Sequence, residues 1–306
     1  MPNRPIMDPT KAPCGALTMV YEDYEMLRRW VGYYGAQFGR QHLYILSHGG
    51  DPEHRRIADG CNVIAVPRDP TCYRLERRRW GMYSDFHAGL MRYFNWLIVG
   101  DVDEMVLLDP DAGDTLIEYL KRYEYSAEGA DIPKSLSPFG IELIHNPEVE
   151  TDAIEPDAPI LQKRRVFRAN ANYAKPCVLR TPARFSIGGH SSSHQPRFLD
   201  PHLYLLHLRF FDFELSKARL LGRQEIRKTM DGEKDPSATG HAWKKDLDNF
   251  LKLSKGEAVR EDCQLEEFRR KMVDDQKHLH DGKVSFWGGG RSRELYRLPK
   301  RFASLV

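Results

Sequence analysis

The chain has 306 residues, of which 41% are hydrophobic and 29% charged, a composition typical of a folded globular protein and not of a disordered one. Its 46 Lys and Arg residues nearly balance its 44 Asp and Glu residues, so the formal net charge of +2 does not indicate a nucleic-acid-binding protein. The apolar runs at residues 96–99 and 203–206 are far shorter than the roughly 18 residues of a membrane-spanning helix, and the N-terminus has no run of signal-peptide length. We therefore expect a cytoplasmic protein.

The five cysteines are odd in number and are scattered along the chain without a C-x-x-C pair. This spacing argues against a disulfide framework and against a zinc ribbon. We expect reduced thiols that pack as small hydrophobic side chains.

Short apolar strands alternate with helical patterns in the first third of the chain. β-prone runs occupy residues 16–21, 42–48 and 61–66. An amphipathic helix is predicted after Glu22 and Asp23, and a Gly-Gly-Asp-Pro turn with a short helix follows the second run. This βαβαβ order predicts a parallel sheet with helices on both faces, and ligands bind such sheets beyond the carboxyl ends of the strands.

An acidic pair follows the most hydrophobic predicted strand. A helix with a basic start, predicted over residues 76–94, leads into that strand at residues 96–99, and Asp101 and Asp103 come directly after it. In an extended segment, residues two apart point to the same side, so both carboxylates should face one cleft while Val102 points into the core. Adjacent carboxylates repel unless a cation lies between them, and a divalent ion with oxygen ligands is the usual solution. The pair therefore predicts a metal site that holds a diphosphate.

Five segments then follow one another in a recognisable order. They are YEDYEMLRRWVGYYGAQFG (21–39), LIVGDVDEMVLL (97–108), SPFGIEL (137–143), KPCVLR (175–180) and GGH (188–190). Their order resembles the GT-A glycosyltransferases, and within these the bacterial family 2-like glycosyltransferases related to the DUF23 group. The resemblance spans residues 16–212, about two thirds of the chain. It implies an α/β fold of GT-A type, with a mostly parallel Rossmann-like central sheet, helices on both faces and a helical C-terminal extension.

The same resemblance implies roles for individual residues. Asp101, Asp103 and His190 are the metal ligands that it implies, and Gly188 and Gly189 before the histidine allow close approach of the backbone to a ligand. An inverting transferase needs a general base for the acceptor hydroxyl; Glu142 is the candidate, with Asp212 as a second one. The donor-binding residues that it implies are Tyr21, Glu22, Asp51, Arg79, Asp101, Lys175 and Arg180.

The implied function is a metal-dependent glycosyltransferase. It would use Mn²⁺ or Mg²⁺ and move a hexose from a nucleotide diphosphate sugar, with UDP favoured, to a glycan or a lipid-linked polysaccharide precursor with inversion. Residues 1–14 are expected to form a tail and residues 15–214 the transferase domain, with a nucleotide-sugar half over 15–110 and an acceptor half over 111–214. Residues 215–306 are expected to form a helical extension, whose basic and aromatic C-terminus predicts peripheral contact with the inner face of the cell membrane.

Three other interpretations stay open. The first is a non-catalytic protein that binds sugar nucleotides or glycans, favoured by the absence of the tryptophan that the resembled family carries in the block at residues 137–143. A nucleotidyltransferase is disfavoured because no glycine-rich phosphate loop stands near the N-terminus. A phosphatase of the haloacid-dehalogenase type is disfavoured because the acidic pair follows the fourth strand rather than the first, and Met105 stands where a threonine is expected.

Overall fold

The structure is a computed structural model of the chain. It describes residues 7–70, 74–123, 132–155, 157–228, 243–255, 259–261, 263, 265–274, 277–278, 284–285 and 294–306.

Four parallel strands form one half of the central sheet. In chain order this half contains β1 (Ala12–Val20), α1 (Tyr24–Phe38), β2 (Leu43–His48), α2 (Pro52–Ile57), β3 (Asn62–Val66), α3 (Leu75–Leu90) and β4 (Phe94–Val99). The strands lie side by side in the order β3-β2-β1-β4, with every neighbouring pair parallel. The predicted alternation of strands and helices is confirmed here, because each apolar run forms a strand that pairs in parallel with its neighbour.

The other half of the sheet is mixed. It contains β5 (Glu104–Leu108), α4 (Leu116–Lys121), β6 (Ser135–Ile144), β7 (Val166–Ala169), β8 (Val178–Leu179), β9 (Phe198–Phe210), α5 (Phe213–Lys228), α6 (Trp243–Ser254), α7 (Leu265–Asp274) and β12 (Tyr296–Arg297); β10 (Lys277–His278) and β11 (Val284–Ser285) form a separate pair. β8 pairs with β4 and so joins the two halves of the sheet. Beyond β8, the neighbouring strands are β6, then β7, then β12 at the edge. β9 pairs in parallel with β6 and antiparallel with β5.

The sheet therefore matches the prediction only in part. The α/β class is confirmed, whereas a mostly parallel sheet describes the first half alone. β8, β7, β12 and β5 all pair antiparallel with their neighbours among the described strands. Antiparallel pairing between segments this far apart leaves no local sequence pattern, which is why the periodicity could not indicate it.

One predicted boundary is wrong. α3 ends at Leu90 instead of continuing to residue 94, because Phe94 begins β4 and packs edge-on against His42 and Tyr44. The apolar stripe of the helix runs straight into the apolar strand, so the hydrophobic pattern contains no break at the true end.

The chain ends extend the sheet beyond the predicted boundaries. β1 begins at Ala12, inside the predicted tail, and β12 adds an edge strand to β7 from within the predicted helical extension. Residues 231–240 and 288–290 of the predicted extension, together with Cys72, lie outside the described residues. Cys14, Cys61, Cys177 and Cys263 are free thiols. Within the described part of the chain, none of the helices combines the length and the hydropathy needed to cross a membrane.

A row of charged side chains crosses four neighbouring strands. In the register of the sheet, Glu104 of β5 stands opposite His207 of β9, His207 opposite Glu142 of β6, and Glu142 opposite Arg168 of β7. Residues opposite one another in a sheet share a face, so this register brings the four side chains together. Glu104, His207 and Glu142 are buried, and buried charges are stable only when paired. The row extends from the acidic pair into the middle of the sheet.

We expect Gly140→Ala to lower the free energy of unfolding by about 1–3 kcal/mol, because it overpacks the sheet beside this row. A Cβ at Gly140 would lie 2.2 Å from the carbonyl oxygen of Asn170 and 2.9 Å from the backbone of Tyr173. The matched control is Gly81→Ala in α3, where no heavy atom lies within 4 Å of the new Cβ. That substitution should raise stability by up to about 1 kcal/mol. Urea unfolding measures the change in unfolding free energy of both variants. Equal changes for Gly140→Ala and Gly81→Ala would contradict the prediction.

Candidate functional site

The acidic pair lies in a turn and not in an extended segment. Residues 100–103 connect β4 to β5, and Val102 is buried in the core as predicted. That the two carboxylates share a divalent ion stays a prediction of the sequence. The turn directs the two carboxylates to different sets of basic side chains, which are described below.

Asp101 belongs to a cluster with two cations. Its Oδ1 lies 3.1 Å from Nη1 of Arg79 on α3, and its Oδ2 lies 3.6 Å from Nζ of Lys175. The same Nζ lies 2.6 Å from Oε1 of Glu104. Burial opposes a charge on Lys175, but Glu104 and Asp101 outweigh it and raise the pKa of the amine. Burial also opposes a charge on Asp101, yet Arg79 and Lys175 hold its pKa below the usual value.

Asp103 faces a second set of cations, provided by α5. Its Oδ2 accepts a hydrogen bond from Nη2 of Arg219 at 3.0 Å, and Nη2 of Arg223 lies 3.8 Å away. Nε2 of His207 approaches the same oxygen to 3.9 Å. Burial alone would raise the pKa of Asp103, but Arg219, His207 and Arg223 together hold it far below its usual value. Asp103 is therefore a buried, ionised carboxylate.

His207 links the two acidic regions of the site. Its Nδ1 lies 3.5 Å from Oε1 of Glu142, while its Nε2 faces Asp103, and its ring packs on Tyr173 with centroids 4.0 Å apart. The sequence analysis did not single out this histidine. The available signal is a polar residue in the middle of the apolar run that forms β9, at a position where both sheet faces are covered.

The two candidate bases occupy different environments. Glu142 is 1% exposed and accepts hydrogen bonds from Arg168, Asn170 and Tyr173. Burial opposes its charge, but His207 and Arg168 hold the pKa of Glu142 well below its usual value, so it is ionised. Asp212 is more exposed, and its Oδ1 accepts from the backbone N–H of Leu215 near the start of α5.

A cavity of about 110 Å³ lies at the carboxyl ends of β1, β2 and β3. Met19, His48 and Val66 line it from the strands, and Arg78 and Arg79 line it from α3. Since Arg79 also pairs with Asp101, the cavity and the acidic cluster share a side chain. Apolar walls with a few convergent polar groups are typical of small-molecule sites, and this volume suits one end of a ligand.

Three other predicted donor-binding residues lie around the ends of β1 and β2. The guanidinium of Arg68 stacks 3.5 Å above the ring of Tyr21, which in turn contacts His48 of the cavity edge-on. Glu22 has a positive φ of 56°, and its carbonyl contacts Nε2 of His54 at 3.1 Å. Asp51 caps α2 by accepting from the N–H of Glu53, and it also accepts from the hydroxyl of Tyr24.

Arg180 and His190 complete the predicted set. Buried Nη1 of Arg180 has no hydrogen-bond partner among the described residues, and no described ion pair joins Arg180 to the acidic cluster. Nδ1 of His190 lies 2.8 Å from the carbonyl oxygen of Asn172, which assigns the ring proton to Nδ1. Burial and Lys175 lower the pKa of His190 to about 4, so the ring is neutral near neutral pH.

The resemblance implies a divalent ion held by Asp101, Asp103 and His190. Across the described ranges, no three or more His, Cys, Asp or Glu side chains are gathered to hold a metal, so Asp101 and His190 do not form such a group with Asp103. The imidazole that approaches Asp103 is that of His207, with 3.9 Å between Nε2 and Oδ2. Arg219 and Arg223 lie against the same oxygen, so two cations of the chain already face this carboxylate.

No protein-family model matches the chain, and no curated protein matches it either. The function is therefore argued from the geometry of the site.

Proposed function

We propose that the protein is a glycosyltransferase that moves a hexose from a nucleotide diphosphate sugar, with UDP favoured, to a glycan or a lipid-linked sugar acceptor. The observation that carries the proposal is the cavity at the ends of β1–β3, which shares Arg79 with the buried acidic cluster. A ligand with an apolar ring at one end and a charged group next to it fits this arrangement, and the carboxyl ends of parallel strands are where α/β sheets bind ligands.

The residues divide into two groups in this proposal. The nucleotide base enters the cavity between His48 and α3, where Arg78 and Arg79 also provide donors. The diphosphate lies over Arg79 and Lys175, whose positive charges stabilise it as the leaving group. Mn²⁺ or Mg²⁺ would supply further positive charge to the leaving diphosphate, and Asp103 and His207 are the residues that would hold it.

The acceptor hydroxyl attacks the anomeric carbon in line with the departing diphosphate, which inverts the configuration. Its proton passes to a carboxylate, for which Glu142 and Asp212 remain the candidates. Glu142 is unprotonated, as a base must be before it acts, but its depressed pKa and its burial among Arg168, Asn170 and Tyr173 make it a weak base. The greater exposure of Asp212 supports the second. The acceptor is reached in the cytoplasm, at the inner face of the membrane where it is lipid-linked.

The proposal predicts a nucleotide that stabilises the protein in a metal-dependent way. A ligand at about 100 times its Kd contributes about 2.7 kcal/mol, which raises the Tm of a domain this large by several degrees. We would measure Tm with UDP, GDP, CMP and several UDP-sugars, with and without Mn²⁺. Asp103→Asn should remove the Mn²⁺-dependent part of the shift. Asp152→Asn, at an exposed carboxylate paired with Lys163, is the matched control and should leave the shift unchanged.

Three outcomes separate the proposal from the other interpretations. If no nucleotide raises Tm with or without Mn²⁺, the glycosyltransferase proposal is wrong and phosphate release becomes the next assay. If a UDP-sugar binds but is neither transferred to an acceptor nor slowly hydrolysed, the chain is a binding protein. Release of pyrophosphate from UTP in the presence of a sugar 1-phosphate would instead support the nucleotidyltransferase.

A further inference from the structure

The cations around the acidic turn form two sets. Arg79 and Lys175 face Asp101, and the proposed function assigns them to the diphosphate of the donor. Arg219 and Arg223 face Asp103 from α5, and the donor site does not use them. Guanidinium groups are the side chains best suited to bind phosphate and carboxylate groups, so the second set suggests a second anion.

The two arginines of α5 share one face of the helix. Arg219 and Arg223 are four residues apart, and Asp212, one of the two candidate bases, stands seven residues before Arg219 at the start of the helix. At 3.6 residues per turn, these three positions lie in one stripe. The two glutamates of α5, Glu214 and Glu225, fall on the opposite side of the helix. The stripe therefore carries a candidate base at its start and two cations farther along.

Arg209 of β9 adds a third guanidinium to this region. Burial, followed by the charges of Arg219 and Arg209, lowers the pKa of Arg223 to about 10, although Asp103 and Asp23 oppose the shift. Like charges have this effect only when they are close together, so Arg209 lies near Arg223. The three guanidinium groups repel one another, and an anion among them would relieve that repulsion.

The nearby carboxylates are already engaged by Arg219. Asp23 accepts two hydrogen bonds from this arginine, at 2.5 and 2.7 Å, and Asp103 accepts one at 3.0 Å. Arg223 lies 3.8 Å from Asp103, beyond the length of a normal hydrogen bond. The side chain of Arg223 is 25% exposed, whereas that of Arg219 is 11% exposed. A solute would therefore reach Arg223 first.

We propose that Arg223, together with Arg209 and Arg219, binds an anionic group of the acceptor, a phosphate or a carboxylate. The anion belongs to the acceptor because both candidate bases lie on this side of the turn. Asp212 shares the helix face of the two arginines, and Glu142 meets Asp103 through His207. The assignment to an acceptor rests on the proposed function, whereas the anion site itself does not.

The test compares three probes that carry the same sugar ring: glucose 1-phosphate, glucuronate and methyl glucoside. Calorimetric titration of the full chain at constant ionic strength should show binding of at least one anionic probe and not of methyl glucoside. The probe that binds more tightly distinguishes a phosphate from a carboxylate. If neither anionic probe binds more tightly than methyl glucoside, the proposal is wrong.

Arg223→Gln should weaken binding of the anionic probe about tenfold, because a charge-assisted hydrogen bond is lost. Arg223→Lys keeps the charge without the planar fork and should lose less. Arg209→Gln should weaken binding in the same direction, and it serves as the second variant if Arg223→Gln does not fold. Arg184→Gln, at an exposed ion pair with Asp85, is the matched control and should bind as the wild type does. Wild-type affinity in both Arg223→Gln and Arg209→Gln would overturn the proposal.

Arg79→Gln separates this site from the donor site. Arg79 pairs with Asp101 and Glu76 on the other side of the turn, so its replacement should leave the affinity for the anionic probe unchanged. Saturating UDP should not displace the probe either. A larger loss in Arg79→Gln than in Arg223→Gln, or displacement by UDP, would place the anion in the donor site and overturn the proposal. If the nucleotide panel fails while Arg223-dependent binding persists, the proposed function is rejected and the anion site stands.

Discussion

Replacing Lys175 by Met should lower the free energy of unfolding by about 3–5 kcal/mol, the usual cost of removing one partner from a buried ion pair. The Lys175 side chain is 3% exposed and the Glu104 side chain 2%, with the amine and carboxylate 2.6 Å apart. Asp101, at 3.6 Å from the same amine, would lose part of its compensation and depend on Arg79. Met keeps the length and volume of the lysine stem, so the change isolates the lost charge. Urea unfolding near neutral pH measures it.

The control for this prediction is Lys163→Met, where the lysine pairs with Asp152 on the surface. An exposed pair contributes roughly 0–1 kcal/mol, so this variant should be close to the wild type. The double variant Lys175→Met with Glu104→Gln should recover part of the loss, because the carboxylate left unpaired is then neutral. A cost below about 1 kcal/mol for Lys175→Met would show that water or another cation compensates Glu104, against the structure described above.

Local patterns were sufficient for the parallel half of the sheet, β1 to β4. The runs that form β1, β2 and β3 are short, apolar and separated by glycines or polar turns, so each element is defined by its own neighbours in sequence. The opposite half depends on pairing over long separations. β9 pairs with both β5 and β6, and nothing within residues 198–210 indicates which partners it takes. The antiparallel part of the sheet was therefore missed.

The candidate site, like the fold, could be predicted from the sequence only in part. Asp101 and Asp103 could be recognised because they share one short motif, and Lys175 lies in a segment that resembles a known block. Arg219 and His207 meet Asp103 only through the tertiary structure, and 116 positions separate Arg219 from that carboxylate. A charge in an amphipathic helix such as α5 is usually a solvated one, so its sequence gives no reason to expect a buried contact.

His207→Phe should weaken Mn²⁺-dependent nucleotide binding about 100-fold, at the upper end of the effect expected for loss of a group that orients a metal site. Phenylalanine keeps the ring packing on Tyr173, whose centroid is 4.0 Å away, but removes both ring nitrogens. Of the proposed ligands Asp103 and His207, only Asp103 would then remain. Glu142 would also lose its contact with Nδ1 of His207. Calorimetric titration with the stabilising nucleotide, at saturating Mn²⁺ and again in EDTA, measures the metal-dependent part directly.

The comparison variant is His194→Phe, at another buried histidine whose Nε2 contacts the carbonyl of Pro182 and the hydroxyl of Thr181. His194→Phe should leave the nucleotide affinity unchanged. Its loss of unfolding free energy shows how much stability a phenyl ring costs at the position of a buried histidine. If both variants bind the nucleotide as the wild type does with Mn²⁺, His207 is not a ligand. If His207→Phe loses affinity equally in EDTA, the histidine acts by holding Asp103 and Glu142 in place, and the ion contributes nothing through it. Only a loss confined to the Mn²⁺ titration supports Asp103 and His207 as the pair that binds the cation.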